Sequence, residues 1–204
     1  MEILDLKKRL AKLYKPSARV PELVKVPPMR FLMIDGKGGL GGADFQAAIT
    51  SLYGLAYPVK FAAKKQLHIV YPIMSLEGLY WTADGSEDIS LENRDTMSWR
   101  LMIMLPDAVP GELVERTREK VATKKDLPRL ADIRVQTFSE GQAVQILHVG
   151  PYAEETASVK RLVAFAAEKG FEIAGAHHEI YLGDPNRVDE TKLKTVLRYP
   201  VRKA

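Results

Sequence analysis

An α+β fold is predicted by a strand–helix–strand–strand order that occurs twice along the chain. The segment RFLMIDGKGG (30–39) has the same succession of strand, polar residue, glycine and helix start as AVQILHVGPY (143–152). LHIVYPIM (67–74) then takes the place of HHEIYL (177–182). This duplication predicts two strand–helix–strand–strand modules in a pseudo-two-fold arrangement with a curved antiparallel sheet. We expect a central cleft between them, because module interfaces are favoured ligand sites.

The first module is predicted over residues 26–127, after an N-terminal arm at 1–25. Apolar residues at helical spacing predict a basic amphipathic helix over 1–15, followed by a proline-rich stretch. The other predicted elements are a strand at 29–34, a glycine-rich turn at 36–42, a helix that Asp44 caps and Pro58 interrupts, strands at 67–74 and 79–83 on either side of a Glu77-Gly78 turn, a polar loop at 83–95, a strand at 99–105 and a helix at 110–125.

The second module is predicted over residues 128–204. Its predicted elements are strands at 133–139 and 143–149 joined by a Glu140-Gly141 turn, a helix with Val159, Leu162, Val163 and Ala166 on one face that Gly170 ends, a strand that carries Glu179, and a last strand at 196–201.

Composition narrows the function classes. The chain has no cysteine, which excludes disulfides, thiolate zinc sites and cysteine nucleophiles. No apolar run approaches the roughly 20 residues of a membrane span, and the N-terminus lacks the apolar core of a signal peptide. The net charge of +4 is spread among interleaved acids, and no nucleic-acid-binding motif is present. These features predict a cytoplasmic protein with no direct nucleic-acid or membrane binding.

The GKGGLGG run at 36–42 resembles a phosphate loop only in part. It follows a predicted strand and precedes a predicted helix, but it lacks the Gly-Lys-Ser/Thr ending and has no GxGxxG in register. We therefore interpret it as a flexible turn and predict no nucleotide cofactor.

Glu179 is the most informative single residue. In HHEIYL, Glu179 and Tyr181 share one face of the predicted strand, while His178, Ile180 and Leu182 share the other. Burying an unpaired charge costs several kcal/mol or raises the pKa of the group. Glu179 therefore lies either on a hydrated face or in a pocket that uses its carboxylate.

Other residues join Glu179 as candidates for a ligand site. The two tryptophans of the chain both lie on predicted strands, where a pair of indoles would stack on a flat aromatic ligand and attract cations. Each candidate also has a structural interpretation: a core position for the tryptophans, a turn for Glu77, and packing under the helix for Tyr152. Adjacent histidines on a strand point to opposite faces, so His177 and His178 do not predict a metal site. The candidates are Tyr80, Trp81, Trp99, Glu77, His148, Tyr152 and Tyr181.

The motif HxGPY (148–152), then a helix, then HHEIYLGDPNRVDETKLKTVLRYPV (177–201), resembles the GyrI-like small-molecule-binding domain family. KFAAKK (60–65), LEGLYW (76–81) and SWRLMIMLPD (98–107) are similar to its stand-alone branch of about 200 residues. Some members of that branch hydrolyse cyclopropanoid DNA-alkylating compounds, and others bind aromatic cations. The resemblance implies two SHS2 modules and a cleft that the residue matching Glu179 faces. A winged helix does not fit the short arm, so we do not expect a transcription activator.

Two hypotheses follow from the residues together with the resemblance. In the first, the protein is a cofactor-free hydrolase of electrophilic aromatic (cyclopropanoid) compounds. Glu179 would then act on water, Tyr181 or Tyr152 would donate to a carbonyl, and the tryptophans would stack on the substrate. In the second, it is a non-catalytic protein that binds hydrophobic or cationic ligands. A gyrase partner is suggested by family analogy alone.

Overall fold

The computed structural model describes residues 1–82 and 96–204, so the predicted loop at 83–95 lies outside the described residues. The described chain forms two compact units. Unit 1 contains residues 1–9, 29–74 and 96–138, and unit 2 contains residues 10–28, 75–82 and 139–204. These units differ from the modules expected at 26–127 and 128–204, because residues 10–28 and 75–82 belong with the C-terminal strands.

The elements alternate between strands and helices. The strands are β1 (Glu2–Ile3), β2 (Glu22–Val26), β3 (Met29–Lys37), β4 (Ile69–Val70), β5 (Leu76–Trp81), β6 (Ser98–Leu105), β7 (Arg134–Phe138), β8 (Gly141–Val149), β9 (Phe171–Ile173), β10 (His177–Tyr181) and β11 (Lys194–Lys203). The helices are α1 (Leu6–Arg9), α2 (Ala11–Tyr14), α3 (Ala43–Leu67), α4 (Gly111–Ala122) and α5 (Glu155–Glu168), with short 3-10 turns at Leu130–Asp132, Tyr152–Glu154 and Glu190–Lys192.

Unit 1 is built around β3, which pairs antiparallel with β6 on one side and β7 on the other. Two-residue strands β1 and β4 pair in parallel. Trp99 on β6 is fully buried, and its ring contacts Phe45 of α3 edge-on at 5.2 Å between centroids. Its indole also covers Gly36, where an added Cβ would lie 2.1 Å from the ring. Gly36, which was predicted to begin a turn, lies within β3 and is needed because the indole of Trp99 occupies the space of a side chain there.

Helix α3 corrects two local predictions. It begins after Gly42, so Asp44 lies in the first turn and does not cap the helix. It also continues through Pro58 to Leu67, although a proline inside a helix costs roughly 3 kcal/mol. Fully buried side chains before and after the proline, including Leu55 and Val59, hold the helix against its unit and offset that cost.

Other predicted bounds change where tertiary pairing overrides local pattern. The helix predicted over 1–15 is divided into β1, α1 and α2, and the strand predicted over 67–74 is reduced to β4. Glu77 and Gly78 were predicted as a turn, which is wrong: both lie within β5 because that strand pairs with β10. Val163, predicted on the buried face of α5, is exposed.

Unit 2 is an antiparallel sheet in the order β2-β8-β11-β10-β5, and β9 pairs with the end of β11. Helix α5 covers one face of the sheet; the apolar cluster there is Val144, Ile146, Leu162, Ala166, Leu197, Tyr199 and Val201. Residues 12–14 of the arm cover the other face, where they hydrogen-bond to buried side chains of the strands. We refer to these as the helix face and the arm face.

None of the helices in the described ranges has both the length and the apolar character that crossing a membrane would require.

Candidate functional site

Glu179 lies on the helix face of the unit 2 sheet. It is opposite Leu197 of β11 and Gly78 of β5, and Leu197 belongs to the apolar cluster under α5. The Glu179 side chain is only 12% exposed. This burial is inconsistent with the hydrated face, which is one of the two settings that the sequence left open.

Both carboxylate oxygens of Glu179 are engaged by neighbours on its own strand. The Tyr181 hydroxyl donates to Oε2 at 2.7 Å, and Nε2 of His177 lies 3.0 Å from Oε1. A carboxylate only accepts, so the His177 contact requires the proton on Nε2. Residues 177, 179 and 181 share one face through the two-residue repeat of a strand, which places all three groups together.

Tyr80 extends this hydrogen-bonded group from the neighbouring strand. Its hydroxyl lies 2.5 Å from that of Tyr181, and its ring is fully buried. The tyrosine reaches this position by crossing over Gly78, where an added Cβ would lie 2.2 Å from the Tyr80 hydroxyl oxygen. Gly78 is therefore required by close approach of a side chain and not by a turn.

The segment that leads into α5 brings Tyr152 and Glu155 to the same group. The Tyr152 ring packs edge-on against Tyr181 at 5.7 Å between centroids. Glu155, the first residue of α5, is buried, and one donor atom from each of Glu155, His177 and Glu179 lies within 4.8 Å of the others. We call Tyr80, Tyr152, Glu155, His177, Glu179 and Tyr181 the helix-face cluster.

His148 links the turn before α5 to the helix itself. Its Nδ1 lies 3.1 Å from the Ser158 hydroxyl of α5, and its Nε2 lies 3.1 Å from the Pro151 carbonyl. Because the carbonyl only accepts, Nε2 carries the proton and Ser158 donates to Nδ1. The buried imidazole thus connects the 150–152 turn to α5 and helps to fix the positions of Tyr152 and Glu155.

The electrostatics of the helix-face cluster keep its phenols protonated. Burial, followed by the negative charge of Glu179, raises the pKa values of Tyr80 and Tyr181 well above their ordinary range. Burial, Glu179 and Glu155 raise the pKa of Tyr152 to about 12. All three hydroxyls are therefore hydrogen-bond donors at neutral pH.

The arm face carries a second polar group, directly behind the first. His178 points away from Glu179 and lies between two carboxylates: its Nε2 is 3.0 Å from Glu77, and its Nδ1 is 3.0 Å from Glu140. All three side chains are at most 1% exposed. Burial alone lowers the pKa of His178, but Glu140 and then Glu77 raise it to about 9, so the imidazole is charged at neutral pH.

Arg198 and the arm complete this second group. Arg198 donates to Glu140, to Gln145 and to the Leu13 carbonyl, and Tyr14 donates to Glu77 at 2.5 Å. Burial raises the pKa of Glu140, but His178 and Arg198 lower it to about 2. We call Tyr14, Glu77, Glu140, Gln145, His178 and Arg198 the arm-face network; it fastens the arm to the strand that carries Glu179.

The residues predicted as a site are therefore distributed over several places. Tyr80, Tyr152, Glu179 and Tyr181 come together, and His148 lies beneath the turn that presents Tyr152. Glu77 faces the arm and is fully buried. Trp81 alternates to the same side of β5 as Glu77, and Trp99 is a core residue of unit 1.

Sequence reasoning missed His177 and Glu155 as members of the cluster. His177 has the same strand parity as Glu179 and Tyr181, a signal that the sequence contained. Glu155 lies three residues after Tyr152 at the start of a helix, and nothing local marks it as buried. A cavity of about 560 Å³ between α3 and α4 in unit 1 contains none of the predicted residues.

Comparison with known proteins gives consistent matches over the whole chain. A family model described as the GyrI-like small molecule binding domain matches residues 19–202. Two crystal structures of hydrolases from Listeria innocua are 35% and 36% identical, cover 98% and 99% of this chain and 100% of theirs, and have TM-scores of 0.85 and 0.88. A search of curated proteins finds no match.

A third similar structure is an uncharacterized conserved protein from the same organism. It is 37% identical over 98% of this chain and 100% of its own, with a TM-score of 0.90. Identity at this level over full length extends the likeness from the fold to the sequence.

Proposed function

Since the chain belongs to the GyrI-like small-molecule-binding domain family, we propose that it is a cofactor-free hydrolase of electrophilic aromatic compounds of the cyclopropanoid type. Glu179 is the base that activates water in this proposal. The observation that carries it is the nearly buried Glu179 carboxylate, held between His177 and Tyr181 among aromatic rings. The similarity to two hydrolases at 35% and 36% identity supports the reaction class.

The reaction needs one base and one donor. Glu179 takes a proton from a water molecule while the oxygen of that water attacks the electrophilic ring carbon. The new C–O bond forms while a strained C–C bond of the cyclopropane breaks, and the electron pair moves into the conjugated carbonyl. A tyrosine hydroxyl stabilises the oxygen on which the charge develops, and the proton on Glu179 is returned to the product, so the net change is addition of one water.

Tyr152 is the better placed of the two candidate donors. The Tyr181 hydroxyl already donates to Glu179, whereas the Tyr152 hydroxyl has no hydrogen bond to any residue in the described ranges. Tyr152 is also partly accessible, and its raised pKa keeps its proton in place at neutral pH. We therefore assign Tyr152 to the substrate carbonyl, and Tyr181 and His177 to orienting the base.

A non-catalytic function as a binder of cationic aromatic molecules is the second candidate. It is favoured by two carboxylates, Glu155 and Glu179, beside the rings of Tyr152 and Tyr181. In that case Glu179→Gln would weaken the binding of a cationic dye and leave a neutral aromatic ligand of similar size unchanged.

The test of the hydrolase is turnover of a cyclopropanoid alkylator, followed by mass spectrometry for addition of water. Glu179→Gln is expected to lower turnover by at least about 100-fold while retaining the binding of a neutral ligand, because the amide cannot take a proton. Glu168→Gln, an exposed acid on α5, is the matched control and should leave turnover unchanged. Equal turnover by the Glu179 variant and the wild type would remove Glu179 from the mechanism.

A further inference from the structure

Three members of the helix-face cluster have the donor atoms of a metal site. Glu155 comes from the first turn of α5, and His177 and Glu179 come from β10. One donor atom of each lies within 4.8 Å of the other two. In a tetrahedral site with bonds near 2.1 Å, donors lie about 3.4 Å apart, so the longest of these separations would have to shorten by up to about 1.4 Å.

The chemistry of the three donors selects a class of ion. One imidazole and two carboxylates form a nitrogen–oxygen set typical of Zn²⁺ and neighbouring divalent transition metals. The carboxylates would supply two negative charges to balance a divalent ion. Glu155 and His177 are buried and the Glu179 side chain is 12% exposed, so a bound ion would be largely shielded from solvent.

The His177 ring is already turned toward the Glu179 carboxylate. Its side chain is 5% exposed, and its Nε2 lies 3.0 Å from Oε1 of Glu179. An ion held between the two groups would take the lone pair of Nε2 after that nitrogen loses its proton, and it would replace the hydrogen bond. Nδ1, which has no hydrogen bond to any described residue, faces away from Glu179 and could not share an ion with it.

The surrounding tyrosines supply the outer shell that such sites need. Tyr181 donates to Oε2 of Glu179, and Tyr80 lies 2.5 Å from Tyr181. Hydrogen bonds of this kind orient a ligating carboxylate and sharpen metal affinity. The three donors thus come with a fixed orientation for at least one carboxylate.

We propose that Glu155, His177 and Glu179 bind one divalent transition-metal ion, with a fourth coordination position taken by one water molecule or a ligand. The sequence did not predict this metal site. It considered only the pair His177 and His178, whose side chains point to opposite faces of the sheet. The third donor beside His177 and Glu179 comes from Glu155, which is distant in sequence. The site uses Glu179 but does not require that the protein hydrolyse anything.

Calorimetric titration of the chelator-treated full-length protein with Zn²⁺ tests the site, with Co²⁺ as a spectroscopic probe. We expect one ion per chain and visible Co²⁺ absorption of the intensity typical of four-coordinate sites. Glu155→Gln should weaken Zn²⁺ binding by more than about 10-fold, since even outer-shell changes have effects of that size. Glu154→Gln, its exposed neighbour, and His68→Asn, at an exposed histidine, should retain binding.

The outcomes separate this site from the hydrolase. Absence of Zn²⁺ binding by the wild-type protein, or binding that Glu155→Gln leaves unchanged, would overturn the metal site. Turnover of a cyclopropanoid substrate in excess chelator would leave the hydrolase standing whatever the titration gives. Tight 1:1 binding that depends on Glu155, in a protein without turnover, would support the metal site and count against the hydrolase.

Discussion

Glu179 and His178 are adjacent on β10, but their side chains lie on opposite faces of the sheet and have different kinds of partner. His178 is enclosed by two carboxylates and is charged, so its burial is balanced by ion pairs. Glu179 has an imidazole and a phenol as its partners on β10. The difference leaves the Glu179 carboxylate on one side of the sheet and the paired charges of His178 on the other. The arm-face network can thus hold β10 in place without contributing a side chain to the helix-face cluster.

Gly78 provides a residue-scale test of this geometry. Gly78→Ala would place a Cβ 2.2 Å from the Tyr80 hydroxyl oxygen, and the buried ring has little room to move. We expect the free energy of unfolding to fall by about 1–3 kcal/mol, as overpacking a core typically does. Urea denaturation measures this change.

Gly111→Ala is the control for Gly78→Ala. Gly111 is the first residue of α4, and an added Cβ there meets no atom within 4 Å. Alanine is the better helix former, so the free energy of unfolding should stay equal or rise slightly. Equal stability of Gly78→Ala and the wild type would show that Tyr80 does not occupy the space over Gly78.

At the scale of the element, β10 carries a buried histidine whose charge depends on pH. The folded-state pKa of His178 is about 9, above its ordinary value near 6.5, so its stabilising contribution is fully present below about pH 6.5 and is lost as pH rises through 9. The folded-state pKa of Glu140 is about 2, so its contribution is present above about pH 4.5 and is lost as pH falls through 2.

The free energy of unfolding should therefore be highest between about pH 4.5 and 6.5 and should fall on the alkaline side, by on the order of 3 kcal/mol between pH 6 and 9. Urea denaturation at several pH values measures it. Glu140→Gln removes the main group that raises the pKa of His178, so the alkaline fall should begin at a lower pH. His68→Asn, at an exposed histidine, should leave the profile unchanged. A flat profile from pH 6 to 9 in the wild type would contradict a charged His178.

Elements with regular patterns were predictable, and those set by distant partners were not. The alternation in HHEIYL identified the two faces of β10, and apolar spacing with Gly170 identified α5 and its end. Glu77-Gly78 was misassigned because an acid–glycine pair is typical of turns, and only pairing with β10 makes it a strand. Pro58 was misassigned because the packing of α3 exceeds a local penalty. The grouping of the helix-face cluster likewise depends on Glu155, which no local pattern connects to β10.

The whole molecule is assembled from interleaved segments of the chain. Unit 2 draws residues 10–28 and 75–82 from the first half of the sequence and joins them to residues 139–204. Each segment brings a polar group that the others need: Tyr14 from the arm, Glu77 from β5, and His178 with Arg198 from the C-terminal strands. The duplicated sequence pattern therefore does not correspond to two separable pieces.

A fragment of residues 128–204, which is the second module suggested by the sequence pattern, should therefore fail to fold. It lacks β5 and the arm, so β10 loses one of its neighbouring strands and His178 loses Glu77. Removing one partner of a buried ion pair costs roughly 3–5 kcal/mol, a large share of the 5–15 kcal/mol that typically stabilises a domain. Far-ultraviolet circular dichroism and urea denaturation of the fragment, beside the full-length protein, measure the outcome: we expect no cooperative unfolding transition in the fragment. A fragment that unfolds cooperatively, with dispersed amide resonances, would mean that the arm and β5 are dispensable for unit 2.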